Sequence, residues 1–191
     1  MMKTLSKWTV TLFGVGYLPK APGTWASLVT LFVGGLIIWN LSPYFYLLIL
    51  FGSICLSLVC IHLAKDNFSQ IDASEIVIDE WIGQLAALWP LVLIYSPHDL
   101  PQGETAKIFT LIQEGWGVNW LMKPELFGIF ILNLGILFLG FRLLDIWKPG
   151  PIGWVDRIKN PFGIILDDLL AGIISGFIFF LIMLLLLFGL D

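Results

Sequence analysis

The sequence predicts an all-α protein: a polytopic membrane helical bundle of about five transmembrane helices with its N-terminus in the cytoplasm. Three observations carry this. The 191-residue chain is 58% hydrophobic and only 13% charged, whereas soluble domains hold roughly 45–50% apolar and about 25% charged residues. The apolar residues gather into runs near the ~20 residues that hydrocarbon thickness demands. The basic residues fall on alternate connections between those runs. A net charge of −4 gives no basic footprint for nucleic acid, so the expected partner is the bilayer. The whole chain, 1–191, reads as a single domain, without internal repeat.

Each element follows in order. Residues 1–11 carry Lys3 and Lys7, as a signal n-region would. The stretch after them is broken by Gly14, Gly16, Pro19, Pro22 and Gly23, so no cleavable signal is expected. The first span is 24–39, stopped by Asn40-Leu41-Ser42-Pro43, and the second is 44–64, making a tight helical hairpin. A polar connection, 65–74, leads to a third span, 75–95, with Asp79 and Glu80 near its start and Pro90 near its end. Residues 96–123 mix Pro, Gly, charges, Trp116 and Trp120, and read as an interfacial or periplasmic insert. The fourth span is 125–144. A charged connection, 145–161, precedes the fifth span, 162–189. With the N-terminus inside, Lys3, Lys7, Lys20, Lys65, Arg142, Lys148, Arg157 and Lys159 are cytoplasmic, against Lys107 and Lys123 outside. This is the positive-inside bias.

That topology gathers three distant polar clusters at the cytoplasmic face. The first is Asp79-Glu80 with Asp167-Asp168. Ionised carboxylates at membrane depth are costly unless paired or metal-bound, and two acidic pairs side by side repel. A divalent cation removes both penalties, and Mg²⁺ favours oxygen ligands. The competing reading is salt bridging to Arg142, Lys148 or Arg157. The second cluster is 14–27, where Gly and Pro precede a helix start bearing Lys20, Thr24 and Ser27. Free N–H groups and a positive dipole end suit a phosphate there, while the plainer alternative makes Thr24 a helix cap. The third is the connection holding Arg142, Asp145, Lys148, Asp156, Arg157 and Lys159. Basic side chains alone would suit anionic lipid heads, but the interleaved acids look like a built site.

Absences narrow the chemistry. His62 and His98 fall on opposite sides, which disfavours a two-histidine phosphatase. Cys55 and Cys60 lie within an apolar run, away from any basic loop, so thiolate chemistry and disulfides are not expected. Metal-assisted attack by water or an acidic nucleophile remains. A cation channel or transporter is the rival from another class. It would place the same acids near mid-membrane on a path reaching both faces.

Three blocks together resemble one family. Gly14-Val-Gly16-Tyr-Leu-Pro19-Lys20-Ala-Pro22-Gly23-Thr24-Trp-Ala-Ser27 is the first, and Ile76-Val-Ile-Asp79-Glu80-x-x-Gly83 the second. The third runs Arg142-x-x-Asp145-x-x-Lys148-Pro149-x-Pro151-Ile152, then Asp156-Arg157, then Gly163-Ile164-x-x-Asp167-Asp168-x-x-Ala171-Gly172. The chain resembles phosphatidylglycerophosphatase A proteins over these blocks, about a third of its length. The resemblance implies Mg²⁺-dependent hydrolysis of phosphatidylglycerophosphate to phosphatidylglycerol at the bacterial inner membrane, with the site facing the cytoplasm. On this expectation Asp79, Glu80, Asp167 and Asp168 hold the metal. Lys20, Thr24, Ser27, Arg142, Lys148 and Arg157 grip the phosphate. The candidate catalytic acids are Asp79, Asp145 and Asp156, and the sequence leaves open which of them is the base.

Overall fold

The computed structural model describes residues 2–64, 67–68, 73–95 and 124–188, and among these it is helical, with no strand. The expected insert at 96–123 lies outside the described residues, as do Lys65, Lys107, Lys123 and His98. The helices are α1 Met2–Val10, α2 Pro22–Asn40, α3 Pro43–Ala64, α4 Ile78–Ala87, α5 Trp89–Tyr95, α6 Pro124–Trp147, α7 Pro151–Val155 and α8 Pro161–Phe188. A 3₁₀ turn at Val15–Tyr17 lies between α1 and α2.

Among the described residues four helices, α2, α3, α6 and α8, are long and apolar enough to cross a bilayer. They show lipid-type side chains outward: Phe32, Leu47, Phe51, Leu132, Leu139 and Leu185 are all exposed. On helices of this length such a surface suits hydrocarbon rather than water. Proline opens α2, α3, α6, α7 and α8, a position where its missing N–H costs nothing. The expected cap at Thr24 is not formed. Ala21, in the left-handed region at φ +52°, occupies the N-cap, and Pro22 begins the helix.

The third expected span is a broken pair rather than one helix. Pro90 has no N–H to continue the ladder, and Leu88 turns its own N–H to Leu85 O at 3.0 Å. The Tyr46 hydroxyl donates to the same carbonyl at 2.5 Å, so the break is satisfied within the protein. This pair is the most enclosed part of the bundle. Ile82, Leu85, Ala87, Leu88 and Leu91 are all buried, and irregular backbone at membrane depth is tolerated only in such surroundings. At the end remote from Asp79, Tyr95 stacks edge-on with Phe130, and Asn133 Nδ2 donates to the Tyr95 hydroxyl at 3.1 Å.

Helices α4 and α8 lie directly against each other. A β-carbon on Gly172 would overlap the carbonyl oxygen of Gly83, and one on Gly83 would lie 2.7 Å from Asp168 O. Glycine at both positions lets the helix bearing Asp79 and Glu80 lie directly against the helix bearing Asp167 and Asp168. Gly172→Ala therefore forces the two helices apart. We expect it to cost about 1–3 kcal/mol, the usual range for overpacking. Thermal unfolding in detergent measures this, and an unchanged midpoint would show that the contact is not tight.

Candidate active site

Strand-like segments play no part in this site. It is built from helix ends. The start of α2, the start of α4, the end of α6, the α6–α7–α8 connections and the second turn of α8 meet at one end of the bundle. They enclose a cavity of about 270 Å³ lined by polar side chains. The up-and-down order of the helices brings these distant segments together, as the alternation of basic residues predicts.

At the centre are three carboxylates. Asp79, Glu80 and Asp168 each offer an oxygen, and these atoms lie within 4.8 Å of one another. Asp79 and Glu80 occupy the first turn of α4, where the positive dipole end favours anions. Their segment is fixed from outside, because the Val77 N–H donates to Val10 O at 2.9 Å. The Glu80 N–H donates to Asp79 Oδ1 at 3.2 Å, and the Asp145 carboxylate is near enough to Asp168 to repel it. Ionised carboxylates cannot sit this close without a shared proton or a cation. Gly23 makes room on the α2 side, since a β-carbon there would overlap Glu80 Oε1. Glu80 Oε2 is buried and has no partner. An all-oxygen donor set with mutual repulsion suits a hard divalent cation.

Beside this group stand two cation–carboxylate systems. Lys148 Nζ lies 2.6 Å from Asp156 Oδ1 and 2.5 Å from Asp167 Oδ2. Partial burial opposes the charge on Lys148, but the two carboxylates outweigh it and hold the ammonium pKa above its ordinary value. The hydrogen bond from Lys148 lowers Asp156 in turn, against a smaller desolvation effect. Both shifts keep the bridge charged through neutral pH. Arg142 Nη1 lies 2.7 Å from Asp145 Oδ2 and 3.4 Å from Ser27 Oγ. Ser27 is itself buried and donates to Gly23 O at 2.9 Å.

Of the residues expected from sequence, Asp79, Glu80, Arg142, Asp145, Lys148, Asp156, Asp167 and Asp168 line the cavity. Asp167 stands apart from the three-carboxylate group: one oxygen is held by Lys148 and the other is buried without a partner. Ser27 reaches the site only through Arg142. Lys20, Thr24 and Arg157 are not among the lining residues. Lys20 is exposed, in the left-handed region at φ +61°, and the Thr24 N–H is already bonded to Ala21 O at 3.0 Å. Several lining residues carry no role in the sequence reading, Gly23 and Lys159 among them. Lys159 could have been found from its place in the charged connection. The role of Gly23 depends on the approach of α4, which no local signal shows.

The family model for phosphatidylglycerophosphatase A matches residues 8–183, which include every one of these lining residues. The chain belongs to that family. It is 29% identical over 174 residues to phosphatidylglycerophosphatase A of Escherichia coli strain K12, covering 89% of this chain and 78% of the relative. It is likewise 29% identical over 174 residues to phosphatidylglycerophosphatase A of Haemophilus influenzae, covering 89% and 83%. No solved structure matches the chain. The first helix begins before the matched region, and the last five residues of α8 lie beyond it.

Proposed function

We propose that this protein is a Mg²⁺-dependent phosphatase of the bacterial inner membrane that converts phosphatidylglycerophosphate to phosphatidylglycerol and phosphate. The observation that carries this reading is the group Asp79, Glu80 and Asp168 beside Lys148 and Arg142, in a cavity at one end of a membrane bundle. Anionic ligands for a cation and cationic ligands for a phosphate stand side by side there. Membership in the family supports the substrate. Bound between the three carboxylates, Mg²⁺ would neutralise phosphate charge and favour ionisation of the attacking water.

The remaining roles fall to this chain's own side chains. Lys148 and Arg142 hold the phosphate as its charge redistributes, a task that positioned cations perform well in a site shielded from water. Asp156 and Asp167 aim the Lys148 ammonium. Asp145, fixed by Arg142 and in reach of Asp168, takes the proton from the water that attacks phosphorus. The bond from phosphorus to the glycerol oxygen breaks, and that oxygen takes up a proton to leave the lipid alcohol. The channel reading fares worse, since the acids cluster at one end and Leu85, Leu88, Leu91, Leu134 and Leu137 fill the core below them.

The distribution of Lys and Arg supports a site on the cytoplasmic side. A cysteine at Trp154, exposed on α7, should react with an impermeant thiol reagent only from the cytoplasm. One at Ser42, in the α2–α3 turn, should react only from outside. The background is a chain with Cys55 and Cys60 replaced by Ser. Labelling of Trp154→Cys in intact cells would overturn the orientation.

A further inference from the structure

Gln84 is wholly buried on α4, and neither its amide nitrogen nor its amide oxygen has a hydrogen-bond partner. An orphaned carboxamide inside a bundle carries a real free-energy penalty, and evolved interiors seldom keep one without use. Four residues earlier, one turn along the same helix face, Glu80 Oε2 is also buried and unpartnered. Side chains at i and i+4 are neighbours, with β-carbons about 5–6 Å apart. The two groups are complementary, a carboxamide N–H donor and a carboxylate acceptor. They do not meet in this structure, where Glu80 Oε1 is directed to the site beside Gly23. On α2, which packs along α4 from Gly23 beside Glu80 to Gly34 beside Leu88, Ser27 and Thr30 are both buried and give their hydroxyls to the carbonyls of Gly23 and Ala26.

We propose that Gln84 is a positioning residue that donates to the outer oxygen of Glu80 and so fixes that carboxylate for a divalent cation. It acts through Glu80 and touches neither substrate nor water. The inference rests on the metal role proposed above for Asp79, Glu80 and Asp168. Outer hydrogen-bond partners of ligating groups are typically worth about 10–100-fold in metal affinity.

The test is a Mg²⁺ titration of the purified full chain in detergent, read as the rise in thermal unfolding midpoint, on wild type, Gln84→Met and Gln84→Leu. In both variants the Mg²⁺ concentration giving half the stabilisation should rise about 10-fold or more. The metal-free midpoint should stay level or increase, because a buried unsatisfied amide has gone. A role in packing alone would move the metal-free midpoint and leave the Mg²⁺ dependence where it was. Half-saturation unchanged from wild type overturns the proposal. So does failure of both variants to fold, since the amide would then serve the metal-free chain. Wild type that gains no stability from Mg²⁺ and releases phosphate in excess chelator defeats the metal reading itself, and that result is recognisable before any variant is made.

Discussion

Asp79→Asn, Glu80→Gln and Asp168→Asn should each lower phosphate release by at least about 10²–10³-fold, the scale of losing one positioned electrostatic contact to a transition state. The loss should not be repaired by more substrate. The same variants carry a second, opposite expectation. Without metal, the three carboxylates lie within 4.8 Å of one another, and neutralising one removes repulsion. Metal-free unfolding midpoints should therefore stay level or rise while activity collapses. Structural salt bridges would give the reverse pattern, because removing one partner leaves a buried charge exposed to an apolar interior. Asp167→Asn provides the contrast within one helix. Its carboxylate is bonded to Lys148, so it should lose stability as well as turnover. Equal loss of stability in all four variants would remove the distinction between the metal group and the bridge.

Lys148→Met should have the next largest effect. It removes the cation that lies between Asp156 and Asp167 and lines the cavity. Turnover should fall about 10²-fold or more for the lost phosphate contact. Stability should fall by about 1–3 kcal/mol. A fully buried pair loses roughly 3–5 when one partner goes, but Lys148 is 30% exposed and solvent screens part of that. Lys148→Arg separates the two losses. It keeps the charge, so most of the stability should return. A planar guanidinium does not reproduce a compact ammonium held by two carboxylates, so turnover should return only in part. Steady-state kinetics and thermal unfolding on the same preparations check both statements, and full activity in Lys148→Met would remove the residue from the site.

Much of the bundle was legible because a membrane protein writes its depth into composition. Apolar runs gave the long helices, and alternation of Lys and Arg predicted that 79–80, 142–157 and 167–168 share one end. The break at Leu88 was foreshadowed by Pro90 but not its consequence, since burial of α4 and α5 by their neighbours is a tertiary fact. The acids stood out because a charge inside an apolar run is costly. What local sequence does not show is which oxygen faces which. Asp167 and Asp168 are adjacent, yet helix geometry turns one toward Lys148 and the other toward Asp79 and Glu80. Lys20 and Thr24 looked like phosphate ligands from their place near a helix start. In the structure Pro22 and Gly23 form the cavity wall there instead, because Ala21 rather than Thr24 caps the helix.

The most direct test of the central claim is phosphate release by the purified chain in detergent, supplied with phosphatidylglycerophosphate, with Mg²⁺ and with excess chelator. The account predicts stoichiometric phosphate and phosphatidylglycerol with Mg²⁺, near-zero release in chelator, and recovery when Mg²⁺ is restored. Full turnover in excess chelator, or no release from this lipid with Mg²⁺ present, would contradict it.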